Sequence, residues 1–296
     1  GKINNFSYNT SLNTVKCYAA LHGYGLIIGS TEVFPECLKH KDLFFRRHCY
    51  ESLLLETLPV DSWMFVIDGD VGIANPNRLI EEFIDPRFDV IMYDREFNHE
   101  ISAASFIIRN SERGRQFIKH FANYEFRLVK GFHGTDNGSL NFIVMNWLMN
   151  VTRHTGYCMD MWMASRGWDD LSNAVACVRM AIGEHQDFPL KGIRILPKGG
   201  AWVRDLFTTT SRWADSDFMF HGAKQIMLES FPETQLDLDK LKRAYEDRIP
   251  STMTFHIFPV VNYLDEGKCK VETELVIRAL NTTFRPVSKH GKWRRG

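Results

Sequence analysis

The stretch Trp63-Met64-Phe65-Val66-Ile67-Asp68-Gly69-Asp70 constrains this chain more than any other. Five apolar residues, rich in aromatic and branched side chains, read as a strand buried on both faces. Two carboxylates follow with only Gly69 between them, and the chain then runs through Val71-Gly72-Ile73 to Asn75-Pro76. In α/β folds, ligands bind beyond the carboxyl ends of buried strands. Gly69 permits a tight turn, so both carboxylates can serve one site although strand neighbours normally face opposite ways. Two hard oxygen ligands suit a magnesium or manganese ion that also carries phosphates. The same residues read equally as an acidic turn that ends a strand.

Alternation of apolar strands and helical periods around this stretch predicts an α/β fold, a mixed sheet flanked by helices. Helices are expected over residues 9–22, 41–58, 77–84, 111–124 and 135–149, with Ser111 and Thr135 as caps. Phe142 to Met149 reads as a core helix. Strands are expected over 24–28, 63–67, 89–93, 103–108, 193–196 and 218–220. Residues 152–183 are rich in Trp, Met and Asp without a clear period, and receive no assignment. Beyond Gln225 the character changes, with a helix expected over 237–248 and a loose basic end at 289–296. The organisation read from this is a catalytic domain over 1–225 with a C-terminal extension over 226–296.

With 296 residues the chain can bury a sizeable core. Lysine plus arginine equals aspartate plus glutamate at 36 each, so no nucleic-acid partner is indicated. No apolar run approaches the roughly 20 residues that span a bilayer. Any anchor is therefore expected upstream of Gly1. Six cysteines contain no Cys-x-x-Cys pair, which argues against a zinc ribbon. Asn-x-Ser/Thr sequons begin at Asn5, Asn9, Asn137, Asn150 and Asn281, favouring a Golgi-lumen or secreted glycoprotein over a cytosolic one.

Three further stretches carry chemistry. His133-Gly134-Thr135-Asp136-Asn137 opens an apolar helix. Asp136 and Asn137 could hold sugar hydroxyls there, and Thr135 and Asp136 are equally good first-turn residues. Gly199-Gly200-Ala201-Trp202-Val203-Arg204-Asp205 allows close backbone approach, with Trp202 as a stacking face; its other reading is a glycine turn with a buried tryptophan. Phe218-Met219-Phe220-His221-Gly222-Ala223-Lys224 ends a strand on a histidine suited to a metal, with an ammonium three residues on. A core histidine is the plain alternative.

In order, Asp68-Gly69-Asp70, Asn75-Pro76, Ile108-Arg109-Asn110, Asp136-Asn137 and His221-Gly222-x-Lys224 resemble nucleotide-sugar glycosyltransferases of the GT-A fold. The pattern is most similar to the galactomannan galactosyltransferase and xyloglucan xylosyltransferase group. His133 to Leu140, Trp202 to Asp205 and Asp217 to Lys224 resemble a nematode-expanded family, domain of unknown function 273. The resemblance implies a GT-A-like, Rossmann-like fold with Mn2+ or Mg2+ on Asp68, Asp70 and His221. It further implies a nucleoside-diphosphate sugar donor, UDP-linked, contacted by Asp68, Arg109, Gly222 and Lys224. Asp136 and Asn137 would be catalytic, and the anomeric configuration retained. Asn137 stands where better-known relatives have glutamine. His133, Trp202 and Asp205 are the acceptor-side candidates, for a glycan or other hydroxyl-bearing acceptor.

The expected activity is thus a metal-dependent glycosyltransferase (a hexosyl- or pentosyltransferase). A secreted, catalytically silent protein of the same fold is the alternative. A phosphatase of the haloacid-dehalogenase type is disfavoured because Val71-Gly72-Ile73 brings no hydroxyl after the acidic pair.

Overall fold

A computed structural model describes residues 8–96, 98–183, 186–205, 217–222 and 255–257. The helix expected over 237–248, the C-terminal end and Lys224 lie outside the described residues. A mixed α/β architecture emerges. Its centre is a five-stranded sheet ordered β2-β5-β4-β7-β6, from β2 (Trp63–Ile67), β4 (Val90–Tyr93), β5 (Ser105–Arg109), β6 (Asp187–Phe188) and β7 (Ile193–Leu196). Within this sheet, among the described residues, β4 and β7 pair in parallel, while β2 with β5, β5 with β4 and β6 with β7 are antiparallel. A second sheet, ordered β3-β9-β8, joins β3 (Val71–Ile73), β8 (Val203–Asp205) and β9 (Met219–His221). A two-stranded ribbon pairs β1 (Leu26–Ile28) with β10 (Phe255–Ile257).

The apolar run of β2 does what its composition requires. Met64 and Val66 enter one core with Phe106 and Ile108; Phe65 and Ile67 enter a second with Ile107. The first core is covered by α2 (Leu43–Thr57), α3 (Glu112–Asn123), α4 (Thr135–Leu148), α5 (Arg153–Met163) and α6 (Trp168–Ile182). The second is covered by α1 (Asn9–Leu21), through Leu12, Val15 and Tyr18, and by the three-stranded sheet. Both faces are closed to water, so the strand carries no polar alternation.

Local chemistry explains the helix starts. Asp42 caps α2 by accepting from Phe44 N at 2.8 Å, and Ser111 caps α3 by accepting from Gly114 N at 3.0 Å. The core helix expected at 135–149 forms as α4, with Phe142 stacked on Trp162 at 4.1 Å between centroids.

Two expectations change. Residues 77–84 make only a 3₁₀ turn, Ile80–Phe83, because Ile80 and Phe83 anchor in the core three residues apart and Glu82 bonds back to Leu79 N. Residues 152–183 form α5 and α6, pinned by a Cys158–Cys177 disulfide; a second bridge joins Cys37 and Cys49. Of the sequons, Asn150 is exposed, whereas Asn137 is half-buried and its side-chain oxygen accepts from Ala103 N at 3.1 Å. Among the described residues, no helix is long and apolar enough to cross a membrane.

Candidate metal and donor site

Strand β2 ends at Ile67 and the chain turns at once: Val71 N donates to Asp68 O at 3.0 Å, closing a tight turn over Gly69 and Asp70. That turn delivers both carboxylates to one place. β3 then runs antiparallel to β9, setting Val71 opposite His221, while parallel β8 sets Asp205 opposite the same histidine. Sheet register, not sequence proximity, therefore assembles the cluster.

His221 Nε2 lies 3.5 Å from Asp70 Oδ1 and 3.7 Å from Asp68 Oδ2. One ligand atom from each of the three residues falls within 4.8 Å of the others. Ligands held about 2.1–2.2 Å from one ion, at roughly 90–120° to each other, stand roughly 3.0–3.8 Å apart, and both histidine–carboxylate spacings fall in that range. The donor set of two carboxylate oxygens and one imidazole nitrogen suits manganese or magnesium rather than a thiophilic metal.

Charge points the same way. Around the cluster, the carboxylates of Asp68, Asp70, Asp136, Asp205, Glu51 and Glu100 outnumber the cationic partners Arg47, Arg95, His48 and His221. Burial pushes the Asp68 carboxyl above its usual range despite the pull of Arg47, and a bound cation would relieve that cost. Burial alone would lower the His221 imidazole, but the charges of Asp70, Asp205 and Asp68 outweigh it and raise it. Tyr8 sits close by: burial first, then the charges of Asp70 and Asp68, push its phenol upward.

A buried ion-pair chain backs the acidic turn. Arg47, from α2, pairs through Nη1 with Asp68 Oδ1, and through Nη2 with Asp136 Oδ2 at 3.0 Å and Ala103 O at 3.3 Å. His48 Nε2 meets Asp136 Oδ2 at 3.1 Å and its Nδ1 meets Glu51 Oε2 at 2.8 Å. Carboxylates only accept, so both ring nitrogens must donate, which makes His48 an imidazolium. Burial opposes that charge, and Glu51 and Asp136 override it to raise the histidine.

The fold brings together Asp68, Asp70 and His221, the three residues expected to share an ion. Asp136 arrives beside them but fully enclosed: Oδ2 serves Arg47 and His48, and Oδ1 accepts from Asn137 N at 2.8 Å. Its open, sugar-facing placement is thus corrected to a carboxylate that reaches the acidic turn through Arg47. Asn137 ties the start of α4 to Ala103. Half-buried His133 accepts from Thr135 N through Nδ1 at 3.1 Å, within the left-handed entry to α4 at Gly134 and Thr135. Gly222, at φ +89°, turns the chain just after His221.

Three expectations are overturned. Arg109 lies opposite Trp63 because β5 runs antiparallel to β2, which puts it roughly 13 Å from the acidic end at ~3.3 Å per residue. There it pairs with Asp61 at 2.8 Å, so it cannot reach a donor at Asp68. Trp202 is 1% exposed, enclosed by Phe65, Phe83 and Tyr93, with its indole N–H donating to Ser105 Oγ at 2.8 Å. Core packing has taken the face that was expected to stack on a ligand. Asp205 is 3% exposed and bound to Arg95 and His221, which leaves no oxygen turned toward an acceptor.

Arg47, His48, Glu51, Arg95 and Tyr8 escaped the sequence reading. The available signal was the 47/48/51 spacing on α2, which puts these three charged groups together on a helix whose Phe45, Leu54 and Leu55 are also buried. Buried charges on a core helix are almost always partnered.

Against known families, residues 15–238 match the family described as "Protein of unknown function, DUF273". This chain belongs to that family. Asp68, Asp70 and His221, and the Arg47 and Asp136 chain behind them, all lie inside the DUF273 match. No curated protein and no solved structure matches the chain.

Proposed function

We propose that this DUF273 member is a metal-dependent glycosyltransferase of GT-A-like fold, moving a sugar from a nucleoside-diphosphate sugar to an acceptor hydroxyl. The observation that carries the reading is the convergence of Asp68, Asp70 and His221 at the end of a buried strand, at ligand spacing. The motif order that resembles GT-A enzymes supports it, and so does the excess of buried acid around the cluster.

In this reading Asp68, Asp70 and His221 hold Mn2+ or Mg2+. When bound, the ion acts as a Lewis acid and template for the departing diphosphate. Arg47 locks the Asp68 carboxylate on the side away from His221, so that Asp68 Oδ2 keeps its aim. Asp136 holds the far end of Arg47. Lys224 and Gly222 follow His221 closely enough in sequence to serve the donor phosphates. UDP is the nucleotude-side choice inherited from the resemblance, as is retention at the anomeric carbon. The Cys37–Cys49 and Cys158–Cys177 bridges suit an oxidising compartment, and we assign the protein to the Golgi lumen or the cell exterior.

Calorimetry of UDP binding with Mn2+ present and with chelator present tests the reading. The expected result is binding that requires the ion, followed by Mn2+-dependent turnover of one donor in a nucleotide-sugar panel. Equal affinity in both conditions rejects it. Metal-dependent binding without turnover of any donor favours the catalytically silent alternative.

A further inference from the structure

Asp205, at the end of β8, faces His221 across the parallel pair, and its two oxygens are fully engaged. Oδ1 accepts from His221 Nδ1 at 2.7 Å and from Arg95 Nη2 at 2.9 Å; Oδ2 accepts from Arg95 Nε at 3.2 Å. Arg95 is itself held. Its Nη1 donates to Glu100 Oε2 at 3.2 Å and its backbone N to Glu100 O at 2.9 Å, closing the turn after β4. The neighbouring Asp94 is tied to α6 by Arg179 at 2.8 Å. All three members of the clamp are buried.

We infer that Asp205, held in place by Arg95, is a positioning residue that fixes the tautomer and the tilt of His221. A carboxylate only accepts, so the hydrogen bond places a proton on Nδ1 and leaves Nε2 as the nitrogen aimed at Asp68 and Asp70. The two-point grip of Arg95 prevents the carboxylate from rotating away. This inference rests on the metal-site reading above and adds to it a residue pair outside the ligand set. Carboxylates behind ligating histidines typically contribute 10–100-fold in metal affinity.

The test titrates Mn2+ into the full chain without nucleotide, following free Mn2+ by its spin-resonance signal. It compares wild type, Asp205→Asn and Asp205→Ala, each also melted in chelator. Asp205→Ala is expected to bind Mn2+ roughly 10- to 100-fold more weakly. Asp205→Asn is expected to weaken binding as well, because its NH2 must face a donor, either Arg95 Nε or His221 Nδ1, so it cannot hold both. Wild-type Mn2+ affinity in the alanine variant overturns the inference. Wild-type affinity in the asparagine variant also overturns it, since the two-point grip of Arg95 would then be dispensable. If wild type binds no Mn2+, it is the metal-site reading that fails. Should Asp205→Ala not fold, nitrogen-15 spectra of His221 in wild type with diamagnetic Mg2+ decide. A proton on Nδ1 upholds the clamp, and a proton on Nε2 overturns it.

Discussion

Arg47 is the residue on which the interior of the site turns, since one guanidinium touches both the acidic turn of β2 and the buried Asp136. Replacing it with methionine keeps most of the volume and strands Asp68 without its cation. Breaking a buried pair in this way costs about 3–5 kcal/mol. Mn2+ should return part of that loss, because the ion neutralises the same carboxylate. Urea unfolding of Arg47→Met in chelator and in Mn2+ checks both halves. His48 gives the pH dependence. Its folded pKa is raised above the ordinary value near 6.5, so its stabilisation is complete below that value and fades as pH rises through the folded one. Wild type in chelator should therefore lose stability relative to His48→Gln across the window that opens above about pH 6.5. A constant difference across that window would mean that His48 does not change charge on folding.

At the scale of elements, α4 is set by an unusual entry. Gly134 has φ +66° and Thr135 φ +53°, two left-handed residues in succession, and a β-branched side chain in that region is a strained choice. The strain points Asp136 inward at the first turn, where Arg47 and His48 meet it. A Cβ on Gly134 would lie 2.4 Å from Leu171 Cδ2 and 3.3 Å from Gly138 Cα. Gly134→Ala should cost about 1–3 kcal/mol and loosen the grip on Asp136. Denaturation together with amide exchange at Asn137 reads both effects; unchanged stability would remove the packing argument. Helix α5 explains a different failure of pattern reading. Its Thr155, Cys158 and Trp162 are buried while Tyr157 and Met163 are exposed. Apolar residues on both faces erase the period by which a surface helix is recognised.

Over the whole molecule, two sheets divide the labour. The five-stranded sheet builds the two cores and ends in the acidic turn; the three-stranded sheet brings the histidine and its carboxylate to that turn. A divalent ion at Asp68, Asp70 and His221 would tie the turn between β2 and β3 to the end of β9. That is a reason for the ion to act on stability as well as on ligand binding.

From residues alone, the apolar runs and caps determined most of the strands and helices near their observed bounds, because local propensity and burial agree there. They also singled out Asp68, Asp70 and His221, which the fold brings together, since a strand end with two carboxylates and a strand end with a histidine each stand out locally. What the sequence could not determine was direction and depth. Arg109 lies at the wrong end of the sheet because strand polarity is a pairing decision made between distant segments. Trp202, Asp136 and Asp205 are hidden because burial depends on what packs over a residue, and those covers come from Phe83, Arg47 and Arg95, each distant along the chain. The ion-pair chain behind the site was illegible for the same reason: a charged residue inside a helix reveals its partner only once tertiary packing has brought the partner there.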